Sequence, residues 1–429
     1  MCHQEERPMP THCKVSTSFL TSQNAHRVGV LISVEGERPV QRPPINVALV
    51  LDRSGSMHGE PLFAAREAAV QFTRFLSGED QLSVVAFDHY IETVYGPAPA
   101  ADPAVEEAIH RLDARGSTNL SGGWLKGREH VLAGLGEGVN RVVLLTDGLA
   151  NRGITEPDQL SGLARGALDE GISTTCIGFG AHFSEDLLTE MAEAGGGNYW
   201  YVERHDQMGG IFDEEIEGLV ALAAQNLEVE VSVDDPHVVG VSFPQGYPVQ
   251  RIGERGYRLL LGDLYATAPR QLGIVFLVED LEELGETRLG GVKLTADHLV
   301  SEGIEHRVTT LPVIANLDGA DHVEPEVERT LLRFEAAKAR EEAVERADRG
   351  EFDGAAAVLR EAEQNLAGYK DDPAIAEEME DLAAEADRMA AQSYDASDRK
   401  YHLARGYGAR EGRSSYIDKV SRRKRKRRD

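Results

Sequence analysis

Residues 46–59 read NVALVLDRSGSMHG, an aliphatic run that ends in a row of oxygen-bearing side chains. Val47 to Leu51 is short, almost continuously apolar and bounded by polar and glycine-containing text. That is the pattern of a strand buried on both faces in a parallel sheet. Asp52, Ser54 and Ser56 follow at alternate positions, and Gly55 lets the loop bend tightly. Open α/β sheets hold their ligands outside the carboxyl ends of the strands, which is where this loop falls. Alternate spacing along an extended loop sends the three side chains to one side. Their hydroxyl and carboxylate oxygens suit a hard divalent cation such as Mg²⁺ or Mn²⁺.

The text around this run alternates between strands and helices. Residues 61–76 carry apolar side chains at helical spacing, with Pro61 suited to a first turn. Apolar strands are expected at 82–87, 141–145 and 172–179, a lone antiparallel edge strand at 90–95 and a short aromatic strand at 198–202. Helical text occupies 103–112 and 120–135, and an amphipathic helix at 207–225 closes the unit. The succession predicts a doubly wound, Rossmann-like α/β domain over residues 45–225 with helices on both faces.

D-x-S-x-S after an apolar strand resembles the metal-ion-dependent adhesion site of von Willebrand factor A domains. The resemblance implies a Thr from a second loop and an Asp from a third. Thr118, in RGSTNLSGG, and Asp147, in RVVLLTDGLANRG, fill those places. One such loop alone reads as a helix cap; three together read as a metal site of Asp52, Ser54, Ser56, Thr118 and Asp147. The resemblance further implies that Ser54, Ser56 and Thr118 touch the ion while Asp52 and Asp147 hold its waters. Mg²⁺ is the expected ion, with Mn²⁺ and Ca²⁺ as the other candidates, since Ca²⁺ usually collects more carboxylates than this set offers. Neutral hydroxyls leave positive charge on the ion for an Asp or Glu of a partner protein. Gly122, Gly123 and Trp124 are candidates for the rim of the site, with Trp124 expected to pack beneath it.

Beyond Leu227 the period changes to two. LEVEVSV, VVGVSF, YRLLLGDL, RQLGIVFLVE, RLGGVKLT and HRVTTLPVI, separated by Gly, Pro and Asp, predict an antiparallel β-sandwich over 227–315. The alternating strands within 12–40 are expected to join it, which makes the α/β domain an insertion. Residues 324–395 are rich in Ala, Glu and Arg at helical spacing and predict a helical hairpin or bundle. One partial tetratricopeptide-like unit there is too little for a repeat array. Residues 399–429 read as a disordered tail ending in the basic run 422–428, the only expected point of contact with nucleic acid.

A formal net charge of −28 over 429 residues argues against general nucleic-acid binding. Three cysteines, Cys2, Cys13 and Cys176, make no disulfide framework, and Cys2-His3 with His12-Cys13 fits no standard zinc spacing. No apolar run is long enough to span a bilayer, and the first residues lack a signal-peptide core, so a cytoplasmic protein is expected. A phosphatase using Asp52 as nucleophile would carry a second Asp where Ser54 stands. No P-loop is present, and no Cys-His or Ser-His-Asp set has motif context. The expected function is therefore non-enzymatic recognition. The order of strands, A domain, strands and helices also resembles cytoplasmic relatives of inter-alpha-trypsin inhibitor heavy chains and calcium-activated chloride channel regulators. Some bacterial A-domain proteins work beside MoxR-class AAA ATPases, which adds an adaptor role as the alternative.

Overall fold

In the computed structural model, residues 9–20, 25–39, 42–279, 285–300, 303–318 and 320–410 are described. Two strands, β1 (Thr11–Leu20) and β2 (Ala25–Val34), precede β3 (Ile45–Asp52), in which every residue is buried. The chain then alternates through α1 (Glu60–Phe75), β4 (Gln81–Phe87), β5 (Ile91–Pro99), α2 (Ala104–His110), α3 (Leu120–Ala133) and β6 (Val139–Thr146). It continues as α4 (Pro157–Asp169), β7 (Ser173–Phe179), α5 (Glu185–Ala194), β8 (Gly196–Val202) and α6 (Met208–Val220). The sheet order is β5-β4-β3-β6-β7-β8, parallel except for the antiparallel pair β4 and β5. This is the doubly wound fold expected from the apolar runs.

The strand order reverses between β3 and β6, which pair in register from Ile45 opposite Val139 to Leu51 opposite Leu145. A crevice opens where strand order reverses in such sheets. Asp52 ends one of these strands and Thr146 the other. Helix α3 crosses the sheet closely because small residues face it: a Cβ at Gly123 would lie 2.6 Å from the Phe87 ring, and one at Gly127 would lie 2.5 Å from a Val50 methyl. Gly123 thus serves packing, and the idea that it shapes the rim of the site is corrected. Trp124 is fully buried, and its indole N–H donates to Thr174 Oγ1 at 3.2 Å.

Helix α6 ends earlier than its apolar text suggests, and β9 (Leu222–Val233) begins almost at once. Leu222, Ala223 and Ala224 are all buried, so their uniform apolarity hides the change from helix to strand. Further on lie β10 (Val238–Ser242), β11 (Val249–Ile252), β12 (Gly256–Tyr265), β13 (Arg270–Val278), β14 (Gly285–Val300) and β15 (Gly303–Leu317). They form a four-stranded antiparallel sheet, β1-β2-β13-β10, and a five-stranded sheet, β11-β12-β9-β14-β15. In the first, Val34 pairs with Arg270 and His26 with Val278, so chain from before and after the α/β domain shares one sheet.

Four helices end the described chain: α7 (Pro325–Asp348), α8 (Phe352–Leu366), α9 (Pro373–Ala390) and α10 (Ala396–Arg410). An alanine-rich core that includes Ala343, Ala355, Leu359, Leu382 and Met389 joins the first three. The expectation of disorder from residue 399 is corrected up to Arg410, because α10 is helical. It lacks an apolar stripe and is held by charge instead: Arg405 meets Glu378 at 2.9 Å and Asp381 at 2.7 Å on α9. The basic run 422–428 lies outside the described residues, as do Cys2 and His3. No described helix is long and apolar enough to cross a membrane.

Candidate metal centre

Three loops supply the site: those that follow β3 and β6, and the one that joins α2 to α3. Asp52 is fully buried, and its two oxygens accept from the Ser54 N–H at 2.7 Å and the Thr146 hydroxyl at 2.5 Å. Ser56 Oγ donates to Asp147 Oδ1 at 2.6 Å and lies 3.0 Å from Ser54 Oγ. Since Ser56 spends its proton on Asp147, the Ser54 hydroxyl donates to Ser56. Ser54 precedes a short 3₁₀ turn, yet its side chain makes no capping hydrogen bond. The capping explanation for these hydroxyls therefore fails at Ser54.

Thr118 is buried against the same place. A Cβ added to Gly148 would lie 3.1 Å from Thr118 Oγ1 and 3.6 Å from Ser56 Oγ, so glycine keeps the space beside both hydroxyls open. The structure thus brings Asp52, Ser54, Ser56, Thr118 and Asp147 to one end of the sheet. Among the described residues no group of three or more His, Cys, Asp or Glu could hold a metal. This cluster has two carboxylates, and hydroxyls make up the rest. An all-oxygen set of that kind fits a hard cation.

Burial raises the Asp52 carboxyl to about 6 against the pull of its hydrogen bonds from Thr146 and Ser54. Burial likewise raises Asp147, offset in part by Ser56. Two carboxylates are held here at an energetic disadvantage, with no protein cation hydrogen-bonded to either among the contacts just described. A divalent ion would reverse that disadvantage.

Residues 46–214 match the description of the von Willebrand factor type A domain. This segment is a von Willebrand factor A domain. Over 184 residues the chain is 34% identical to the Synechocystis protein sll0103, covering 43% of each chain. It is 33% identical over 165 residues to inter-alpha-trypsin inhibitor heavy chain H4 of Sus scrofa, covering 36% of this chain and 18% of that one. The chain therefore spans less than half the length of either of these curated relatives. A solved von Willebrand factor type A structure from Catenulispora acidiphila superposes with a TM-score of 0.65 at 18% identity, covering 86% of this chain and 89% of that chain. At that identity the likeness speaks to the fold alone.

Several residues that shape the A domain's site escaped the motif. Thr146 holds Asp52, and Asn151 Oδ1 accepts from the Thr118 N–H at 2.9 Å. The Thr118 carbonyl in turn accepts from the N–H groups of Asn151 at 3.1 Å and Arg152 at 3.3 Å. Asp88, fully buried, accepts from Arg53 Nε and Arg115 Nε, each at 2.9 Å, and so ties the first two loops together. Gly116 has φ +72° and no room for a Cβ, which would lie 2.0 Å from His89 Nδ1. The text TDG at 146–148 was the signal for Thr146 and Gly148, since both adjoin Asp147. Nothing local marked Asp88.

Proposed function

We propose that the A domain holds Mg²⁺ between Ser54, Ser56 and Thr118, with Asp52 and Asp147 behind them, and that a carboxylate of a partner protein completes the coordination. The carrying observation is the convergence of three hydroxyls and two buried carboxylates from three loops at the sheet's reversal point. Bound there, Mg²⁺ would supply a strong positive field with an open position, because neutral hydroxyls do not cancel its charge. The residues of the chain orient that field: Thr146 fixes Asp52, Asn151 fixes the Thr118 loop, and Gly148 keeps the approach clear. An enzymatic role for Asp52 is disfavoured, since both its oxygens are engaged and it is sealed from solvent.

Capture from the native cell extract tests this reading, using the immobilised full chain and a Ser54→Ala, Ser56→Ala double variant in Mg²⁺ and in EDTA. The expected result is a partner retained by the unaltered chain in Mg²⁺ alone. Partners indifferent to both the chelator and the substitutions would place recognition elsewhere on the chain. A captured partner that nucleotide releases would favour the ATPase-adaptor form of the same function.

A further inference from the structure

Of the three arginines around the metal loops, two are neutralised. Arg53 and Arg115 share Asp88, and both reach Glu92, at 2.7 Å and 3.3 Å. Arg152 differs: it is exposed and makes no ion pair among the described residues. Its Nε donates to Ser117 Oγ at 2.8 Å, which leaves both terminal nitrogens of the guanidinium to solvent. Its backbone N–H donates to the Thr118 carbonyl, and Ser117, which its side chain meets, is the residue before that proposed metal ligand. On a chain of net charge −28, an arginine without an ion pair among the described residues offers its charge to an incoming acid. Leu149, on the same loop and two residues past Asp147, is 58% exposed although large and apolar.

We propose that this rim reads a second carboxylate: the partner segment is extended and carries acidic residues at alternate positions, one for the metal and one for Arg152, with an aliphatic residue two positions before the first acid, on the same face, against Leu149. In an extended chain, side chains two residues apart share a face at about 7 Å, and Arg152 is tethered to Ser117, the residue before Thr118, so both cationic points stand on adjoining residues of the rim. The inference rests on the metal reading above and adds the identity of the partner motif.

The test uses bead-displayed peptides Leu-Gly-Asp-Gly-Glu-Gly and Leu-Gly-Asp-Gly-Gln-Gly against the full chain in Mg²⁺ and EDTA, with Mg²⁺ uptake measured in parallel. The diacidic peptide is expected to be captured roughly fivefold better in Mg²⁺, as an exposed ion pair allows. Arg152→Ala should erase that preference and Arg152→Lys restore part of it, with Mg²⁺ uptake unchanged in both. Equal capture of the two peptides, or a preference that survives in Arg152→Ala, overturns the proposal while uptake persists. Absence of Mg²⁺ uptake by the unaltered chain overturns the metal reading itself.

Discussion

Glu215→Ala is expected to destabilise the A domain by about 3–5 kcal/mol, the usual cost of breaking a buried ion pair from one side. Glu215 and Arg141 are both fully buried, 3.0 Å apart. The carboxylate also accepts from Thr175 Oγ1 at 2.7 Å, Asn198 Nδ2 at 2.6 Å and Trp200 Nε1 at 2.8 Å. Alanine would remove the carboxylate paired with Arg141, whose Nε still donates to Ser173 Oγ at 2.9 Å, and the acceptor that Thr175, Asn198 and Trp200 share. Since such domains have only about 5–15 kcal/mol in total, the loss is large. The chain's two tryptophans, Trp124 and Trp200, both lie in the A domain, so fluorescence-detected urea unfolding reads this unit.

The pH dependence has a definite sign. Burial by itself would raise the Glu215 carboxyl, but the Arg141 charge and the hydrogen bonds from Asn198, Thr175 and Trp200 hold it below its ordinary value. Its contribution is therefore complete above the unfolded-state value of about 4.3 and is lost as pH falls through the lower folded-state value. The gap between the unaltered chain and Glu215→Ala should narrow in acid. A variant as stable as the parent at neutral pH would show that the network carries no stability.

Arg340→Ala is the corresponding prediction for the helical region, again at about 3–5 kcal/mol. Arg340 is 1% exposed on α7; its Nε donates to Glu385 at 2.8 Å and its Nη1 to Glu378, both on α9. From the other side Arg405 and His402 of α10 face the same carboxylates. Burial would raise Glu385, yet Arg340, then His402 and Arg405, hold it well below the usual carboxylate range. Without Arg340 two buried acids share one remaining arginine. The protection of α9 and α10 amides against hydrogen exchange, taken relative to the intrinsic rate at each pH, should fall in the variant, and in the unaltered chain as acid titrates these depressed carboxylates. Unchanged protection in α10 would mean that this helix is held by something other than the charge cluster.

These two networks also mark what the sequence could not disclose. D-x-S-x-S was legible because its chemistry lies within one loop, after a strand whose burial on both faces shows in its composition. Thr118 and Asp147 were legible only through the resemblance. By contrast, Arg141 and Glu215 are 74 residues apart, and each alone reads as a solvated charge. α10 was missed for a related reason: its anchors are Arg405 and His402 rather than an apolar stripe, and they acquire meaning only opposite the acids of α9. β11, mostly exposed, has no hydrophobic pattern to announce it. Period-two text revealed the existence of the other late strands but not how they divide between two sheets, since pairing partners are a property of the folded chain.

The most direct test of the metal centre is a calorimetric titration of the metal-free full chain with Mg²⁺, repeated on Asp147→Ala. Asp147 accepts the Ser56 hydroxyl hydrogen bond and stands beside Gly148, where the hydroxyls of two loops meet. One saturable site in the unaltered chain, absent from the folded variant, is the predicted result. No uptake by the unaltered chain, or equal uptake by both, would contradict the assignment of these loops as the metal site.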